Sequence, residues 1–181
     1  MEIDRHIPFD LVRPTTRLHA AWLDARREWG PGFHEDGFGL QPTDDVESPA
    51  GFAALVERLS DDPEPTDAAS SPGIRCRYRW IVEDDRVLGG IMLRYGVGEM
   101  LDRSGNIGYG IRPSARGRGV ATWALGEMVD EARAIGLERV LVVCERDNLA
   151  SARTIEASGG VLEPGAEETG GVRRYWIDTT R

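Results

Sequence analysis

The sequence feature that most constrains the fold is a glycine-rich hexapeptide, residues 116–121, between an apolar strand pattern and an amphipathic helix pattern. It reads Arg-Gly-Arg-Gly-Val-Ala. Glycines at a strand-to-helix junction let the backbone approach a ligand closely, and the free N–H groups and dipole of the following helix favour an anion. A pyrophosphate is the natural ligand for such a loop, although the same residues also suit a plain strand-to-helix turn.

Two common phosphate-loop patterns do not fit this hexapeptide. A Walker A loop requires a following Gly-Lys-Ser/Thr, which is missing here. A dinucleotide fingerprint fails because residues 117–122 have no third glycine and the preceding strands read as antiparallel hairpins. The loop therefore belongs to neither class.

Hydropathy periodicity predicts helices first and a sheet afterwards. The helical patterns cover residues 13–30, 52–59, 119–135 and 148–158, with an acidic loop over 31–49 and a linker-like stretch over 61–73. The strand patterns cover 76–83, 87–95, 106–112, 140–144, 161–163 and 172–177. These patterns predict a mixed α+β protein.

The charge is unevenly distributed along the chain. All 22 basic residues are arginine, the acidic residues number 31, and the net charge of −9 lies entirely within residues 1–70. No segment offers the concentrated basic surface that nucleic acids require. No apolar run approaches the roughly 20 residues that span a bilayer, and no signal sequence is evident. We expect a cytoplasmic protein that binds neither nucleic acid nor membrane.

The cysteines and histidines do not form a recognisable metal site. Cys76 and Cys144 lie too far apart in sequence for a metal knuckle, and a single disulfide between them stays formally open. His6, His19 and His34 lack ligand spacing, so we expect no metal. We expect the tryptophans to fill the core rather than to bind substrate: Trp22, Trp29, Trp80, Trp123 and Trp176.

Two segments resemble the GCN5-related N-acetyltransferase (GNAT) superfamily. Residues 111–121, Ile-Arg-Pro-Ser-Ala-Arg-Gly-Arg-Gly-Val-Ala, are similar to that family's strand, proline-containing turn and Arg/Gln-x-x-Gly-x-Gly/Ala loop. Residues 148–160, which open with Asn148 and end in a glycine pair, resemble its second acetyl-CoA segment. The resemblance covers roughly residues 74–177. The pentapeptide Arg-Arg-Tyr-Trp-Ile at 173–177 resembles a bacterial subgroup of predicted acetyltransferases.

The resemblance implies a particular architecture. It is the GNAT-type acyl-CoA N-acyltransferase fold, a central, mostly antiparallel twisted sheet with a splayed strand pair, flanked by helices. Residues 1–181 would form a single GNAT domain, with N-terminal helices and acidic loops over 1–73 and the sheet and acetyl-CoA-binding core over 74–181. Such folds commonly form homodimers.

The resemblance also implies acetyl-CoA as co-substrate. The strand before the loop would offer backbone groups to the pantetheine arm and the acetyl carbonyl, and the loop amides would cradle the pyrophosphate. Asn148 would bind near the pantetheine arm. The residues implied to bind acetyl-CoA are Tyr109, Gly110, Ile111, Arg116, Gly117, Arg118, Gly119, Val120, Ala121, Asn148 and Ser151.

The implied reaction is direct attack of a neutral amine on the thioester, which needs a base and an acid. Ile155 occupies the position where many family members place a tyrosine that protonates the CoA thiolate. Residues 106–111 also lack the glutamate that some members use as the base. Tyr109, Glu99 and Cys144, assigned to neighbouring strands, remain as catalytic candidates. Two functions stay open: an N-acetyltransferase acting on a small-molecule or peptide amine, or a non-catalytic acyl-CoA-binding module.

The N-terminal region is expected to line the acceptor entrance, as in other proteins with this fold. Its charge of −9 would then favour a cationic amine. The acidic residues Asp44, Asp45 and Glu47 fit this interpretation, but they also fit a solvated loop.

Overall fold

The computed structural model describes residues 8–30, 38–60, 73–165 and 171–180. His6, His34 and most of the linker-like stretch therefore lie outside the described residues. The helices and strands are β1 (Asp10–Val12), a 3-10 turn (Thr16–Leu18), α1 (His19–Trp29), α2 (Pro49–Ser60), β2 (Ile74–Glu83), β3 (Arg86–Gly96), α3 (Glu99–Ser104), β4 (Ile107–Ile111), a 3-10 turn (Pro113–Ala115), α4 (Val120–Ala134), β5 (Arg139–Glu145), α5 (Leu149–Ala157), β6 (Val161–Leu162) and β7 (Val172–Asp178).

The strands form one seven-stranded sheet in the order β1-β2-β3-β4-β5-β7-β6. Neighbouring strands are antiparallel except β4 and β5, which run parallel. Among the described residues, the parallel pairing of β4 with β5 is confined to Ile107 opposite Val142. Beyond this pair the two strands separate toward their carboxyl ends. The predicted fold class, with its splayed strand pair, is confirmed.

The sheet separates two apolar cores, because successive side chains of a strand point to opposite faces. On β2, Trp80 and Val82 pack with α1 and α2, whereas Ile81 packs with α4 and α5. Trp22 and Trp80 are buried, as expected. Trp29 and Trp123 are half-buried and pack against the edges of the two cores. Trp176 is half-buried and belongs to neither core, so the expectation that it fills the core is wrong.

The N-terminal segment supplies more than helices. Strand β1 pairs with β2 and extends the sheet by one edge strand, which a three-residue apolar pattern is too short to predict. The helix predicted over residues 13–30 divides into a 3-10 turn, capped by Thr15, and α1, which ends at Gly30 with a φ of 82°. Helix α3 was not predicted either, because residues 99–104 show no clear helical periodicity.

The described residues contain no cluster of three or more potential metal ligands, nor a helix long and apolar enough to cross a membrane. His19 instead stacks on Phe52, with ring centroids 4.1 Å apart, and its Nε2 lies 2.8 Å from the Val46 carbonyl oxygen. Cys76 and Cys144 are both free thiols.

The acidic residues before α2 mainly serve that helix. The Asp45 carboxylate accepts hydrogen bonds from the N–H groups of Glu47 and Ser48 at 3.1 and 3.2 Å. Asp44 pairs with Arg58 of α2 at 2.6 Å. These contacts give Asp44 and Asp45, two of the three acidic residues that the structure describes in this loop, a structural role.

Candidate active site

A cleft of about 700 Å³ opens at the carboxyl end of β4, beyond the single residue pair that joins β4 to β5. Three segments line it: the end of β4, the loop that leads into α4, and the first turns of α5. The lining residues are Trp29, Phe38, Tyr109, Gly110, Ile111, Pro113, Ala115, Arg116, Gly117, Gly119, Val120, Ala121, Thr122, Asn148, Ala150, Ser151, Arg153 and Thr154. The structure thus brings together all the residues implied to bind acetyl-CoA except Arg118.

The β4 backbone has hydrogen-bonding groups directed toward this cleft. The N–H of Arg112 donates to the Leu88 carbonyl on β3 at 2.8 Å. Because bonding alternates along an antiparallel pair, Tyr109 and Ile111 direct their N–H and C=O groups away from β3. The Ile111 carbonyl accordingly accepts a bond from Arg116 Nε at 2.9 Å. Backbone groups of Tyr109 and Ile111 can therefore meet a ligand between the separated strands.

The loop before α4 has the geometry of an anion site. Gly117 and Gly119 adopt φ values of 74° and 80°, and a Cβ added to either would meet nothing within 4 Å. The backbone conformation thus favours glycine, and the space beside the loop is open. Gly119 caps α4 without a side-chain hydrogen bond. The first-turn N–H groups of α4, at Val120, Ala121 and Thr122, have no partner within the helix and suit a phosphate.

The arginines near the loop have different roles. Arg116 lines the cleft, but Arg118 pairs with Glu83, Nη1 to Oε2, at 3.1 Å. The hydrogen bonds of this pair raise the pKa of Arg118 and lower that of Glu83. The Arg118 guanidinium also lies 5.4 Å from the centroid of the Phe9 ring. Arg153 of α5 also lines the cleft and was not predicted, because no sequence pattern marked its side of the helix.

Helix α5 contributes its first turns to the cleft. Asn148 caps it, since its side-chain oxygen accepts a hydrogen bond from the Ser151 N–H at 3.0 Å. The Tyr109 hydroxyl donates to the Ser151 carbonyl at 3.4 Å, which places this hydroxyl beside α5. Ile155, one turn later, is fully buried in the core. The position that carries a tyrosine in many family members is therefore a packing position here.

The other two catalytic candidates lie outside the cleft lining. Cys144 on β5 is only 8% exposed, and burial raises the pKa of its thiol. Glu99 is exposed at the start of α3, a helix rather than the expected strand. Of the three candidates, the structure brings only Tyr109 to the cleft.

Two aromatic residues complete the cleft on the N-terminal side. Trp29, the last residue of α1, meets Phe38 edge to face, with ring centroids 4.8 Å apart. Sequence analysis assigned Trp29 to the core because it continues the apolar spacing of Trp22 and Ala25. No aspartate or glutamate in the described part of the chain lines the cleft.

Comparison with known proteins identifies the family. A sequence model of the acetyltransferase (GNAT) domain matches residues 12–161 of the chain. The chain belongs to the GNAT acetyltransferase family. This assignment confirms the predicted enzyme class, an N-acetyltransferase with acetyl-CoA as co-substrate. The subgroup inferred from residues 173–177, which lie within β7, stays a prediction.

Solved GNAT structures share this fold at low sequence identity. Microcin C7 self-immunity acetyltransferase MccE, in complex with acetyl-CoA and AMP, aligns with a TM-score of 0.63 and 16% identity over 94% of this chain and 92% of MccE. A chimera of spermidine N-acetyltransferase SpeG from Vibrio cholerae and hSSAT aligns at 0.61 and 16% over 96% and 97%. RimL, a ribosomal L7/L12 alpha-N-protein acetyltransferase in complex with coenzyme A, aligns at 0.61 and 14% over 94% and 93%. No curated protein sequence gave a significant match.

Proposed function

We propose that this GNAT protein transfers the acetyl group of acetyl-CoA to an amine of its acceptor by direct attack in a ternary complex. One observation carries the proposal. The cleft joins outward-facing backbone groups of β4, the open N-terminus of α4 and the first turns of α5. The amides of residues 116–121 would bind the pyrophosphate with Arg116, and Asn148 and Ser151 would contact the pantetheine arm.

Tyr109 is the residue to which we assign two tasks. The amine nitrogen attacks the thioester carbon, a C–N bond forms, the C–S bond breaks, and sulfur leaves with the electron pair. The Tyr109 N–H points into the cleft and would donate a hydrogen bond to the oxyanion that forms on the acetyl oxygen. Removal of one such donor from an enzyme costs about 3–4 kcal/mol of transition-state stabilisation. Tyr109 lines the cleft, and its hydroxyl, which lies beside α5 at the Ser151 carbonyl, would protonate the departing sulfur, while water accepts the proton lost by the amine.

The acceptor is proposed to be a small-molecule or peptide amine that carries positive charge. The net charge of −9 over residues 1–70 supports this proposal, because a negatively charged N-terminal region would attract a cationic acceptor. The half-buried Trp29 ring, against which the buried Phe38 packs edge to face, adds an aromatic face on which a cation can lie. A panel of polyamine, aminoglycoside and basic-peptide acceptors should show turnover that falls with added salt. Turnover confined to neutral or anionic amines would contradict the charge argument.

A second candidate function is a non-catalytic acyl-CoA-binding module. It is favoured by the core position of Ile155 and by the absence of glutamate from β4. Calorimetric titration with acetyl-CoA, followed by a thiol-release assay over the amine panel, distinguishes the two functions. Acceptor-dependent CoA release supports the enzyme, and binding without release supports the module. An absence of binding would contradict both.

Three further expectations are proposals of the same kind. We propose that residues 1–181 form one domain, supported by a family match that crosses the boundary at residue 73 and by the pairing of β1 with β2. The free thiols Cys76 and Cys144 suit the reducing cytoplasm that we propose as its compartment. The homodimer stays a prediction, which sedimentation velocity tests.

A further inference from the structure

Helix α1 is joined directly to the turn that precedes the proposed pyrophosphate loop. Glu28, in the last turn of α1, accepts a hydrogen bond from the backbone N–H of Ser114 at 2.5 Å. Its other carboxylate oxygen accepts the Ser114 hydroxyl at 2.9 Å. Ser114 is the middle residue of the 3-10 turn Pro113–Ala115, which leads straight into the loop. One carboxylate of the N-terminal region therefore holds the base of the loop.

Arg112, the residue before this turn, completes the connection. It is only 4% exposed, and each of its three guanidinium nitrogens has a partner. Nε donates to Glu28 at 2.5 Å, Nη2 to Asp24 at 2.8 Å, and Nη1 to the Val87 carbonyl at 3.2 Å. Such a planar fork can hold two carboxylates and a carbonyl at once, which a lysine cannot do. Helix α1, strand β3 and the turn are thus fixed to one another.

The loop needs such a constraint because its own sequence provides little rigidity. Gly117 and Gly119 restrict the backbone less than any other residue would. The turn fixes the first loop residue, since the Arg116 N–H donates to the Pro113 carbonyl at 3.2 Å. Burial opposes ionisation of Glu28, but hydrogen bonds from Ser114 and Arg112 nevertheless lower the pKa of its carboxyl. The carboxylate is therefore charged at neutral pH and can hold the turn continuously.

We propose that Glu28 and Arg112 are positioning residues that hold the loop over residues 116–121 in its pyrophosphate-binding conformation. This inference rests on the proposed acetyl-CoA site. It concerns only the pyrophosphate of CoA, the part of the ligand proposed to contact the loop. Loss of the connection should weaken binding of CoA, which carries the pyrophosphate, and should leave binding of pantetheine, which lacks it, unchanged.

The experiment compares CoA and pantetheine as ligands of the full-length chain. Calorimetry gives the Kd for CoA, and an NMR shift titration gives the weaker Kd for pantetheine. We expect E28Q to weaken CoA binding about tenfold, because a neutral amide oxygen replaces the charged acceptor of the Ser114 N–H, with pantetheine binding changed less than about twofold. E57Q, the same substitution at an exposed glutamate of α2, is the matched control and should change neither.

Two further variants test the geometry. D24N should weaken CoA binding by less than about threefold, because Asp24 contacts Arg112 but makes no hydrogen bond to Ser114. R112K should resemble E28Q, because lysine keeps the charge and loses the fork. R112K also answers the question if circular dichroism shows that E28Q does not fold.

Each outcome decides between the proposals. Selective loss of CoA affinity in E28Q supports the positioning role. Equal weakening of both ligands would indicate general damage to the cleft and would overturn it, as would unchanged CoA binding. If E28Q weakens both ligands equally or leaves CoA binding unchanged, CoA binding by the wild-type protein still leaves the proposed function intact. A wild-type protein that binds no CoA would instead contradict the proposed function.

Discussion

Substitution of Gly119 by tryptophan should abolish CoA binding while leaving the protein folded. Gly119 has a φ of 80°, and a non-glycine residue in this left-handed region costs about 1–2 kcal/mol. An added Cβ meets nothing within 4 Å, so no steric penalty is added at that atom. For a chain of this size, this cost lowers the Tm by about 2–8 °C. The indole would stand at the N-terminus of α4, in the space proposed for the pyrophosphate.

Two further variants distinguish backbone strain at position 119 from steric blocking of the pyrophosphate site by the indole. G119A carries the same strain with little bulk, so its Tm should match that of G119W while its CoA affinity falls much less. G126A lies in the exposed interior of α4 with open space around it, and should gain about 0.5–1 kcal/mol of stability with unchanged affinity. Thermal unfolding and titration calorimetry provide both measurements. A folded G119W protein that binds CoA with the wild-type Kd would refute the placement of the pyrophosphate at this loop.

Three other predictions test the catalytic residue, the core and the pH response. Y109F should lower kcat at least tenfold with a Kd for acetyl-CoA changed less than about twofold, because it removes the proposed acid and only one long hydrogen bond, to the Ser151 carbonyl; an unchanged kcat would exclude that role. I155A should lower the free energy of unfolding in urea by about 2–5 kcal/mol, since it opens a cavity at a fully buried site; a loss below about 1 kcal/mol would contradict its packing role. Because the folded-state pKa of Glu28 lies below its ordinary 4.5, the stability that its ionisation provides is present above about pH 4.5 and is lost as the pH falls through the folded-state pKa. Stability should therefore decline less steeply with acid in E28Q than in wild type, and equal slopes would argue against an ionised Glu28.

The sequence predicted the parts of the fold that have strong local patterns. The hairpin of β2 and β3, helix α4 and the glycine loop all have a clear periodicity or a turn residue that requires them. Strand β1 escaped prediction because three residues carry no period, and its partner β2 lies far along the chain. The parallel pairing of β4 with β5 likewise depends on tertiary contacts rather than on local sequence.

The glycine loop of the site could be predicted because backbone conformation defines it. The side chains that distant segments contribute to the site could not be predicted. Gly117 and Gly119 marked the loop in the sequence, and the cleft lies beside them. Trp29 was assigned to the core because helical spacing cannot tell a buried position from one at a cleft wall. Arg118 was expected at the pyrophosphate, but no pattern in the sequence indicated that Glu83 on β2 is its partner. Long-range ion pairs of this kind have no signature in one sequence.

Acetyl-CoA is proposed to bind in the cleft formed by β4, the glycine loop and α5. Amide hydrogen exchange followed by mass spectrometry, with and without acetyl-CoA, tests it most directly. We expect slower exchange at β4, at residues 116–122 and at residues 148–154, the segments that line the cleft. Protection confined to the separate surface cleft around Arg139, Val161 and Trp176, with none at the glycine loop, would contradict it.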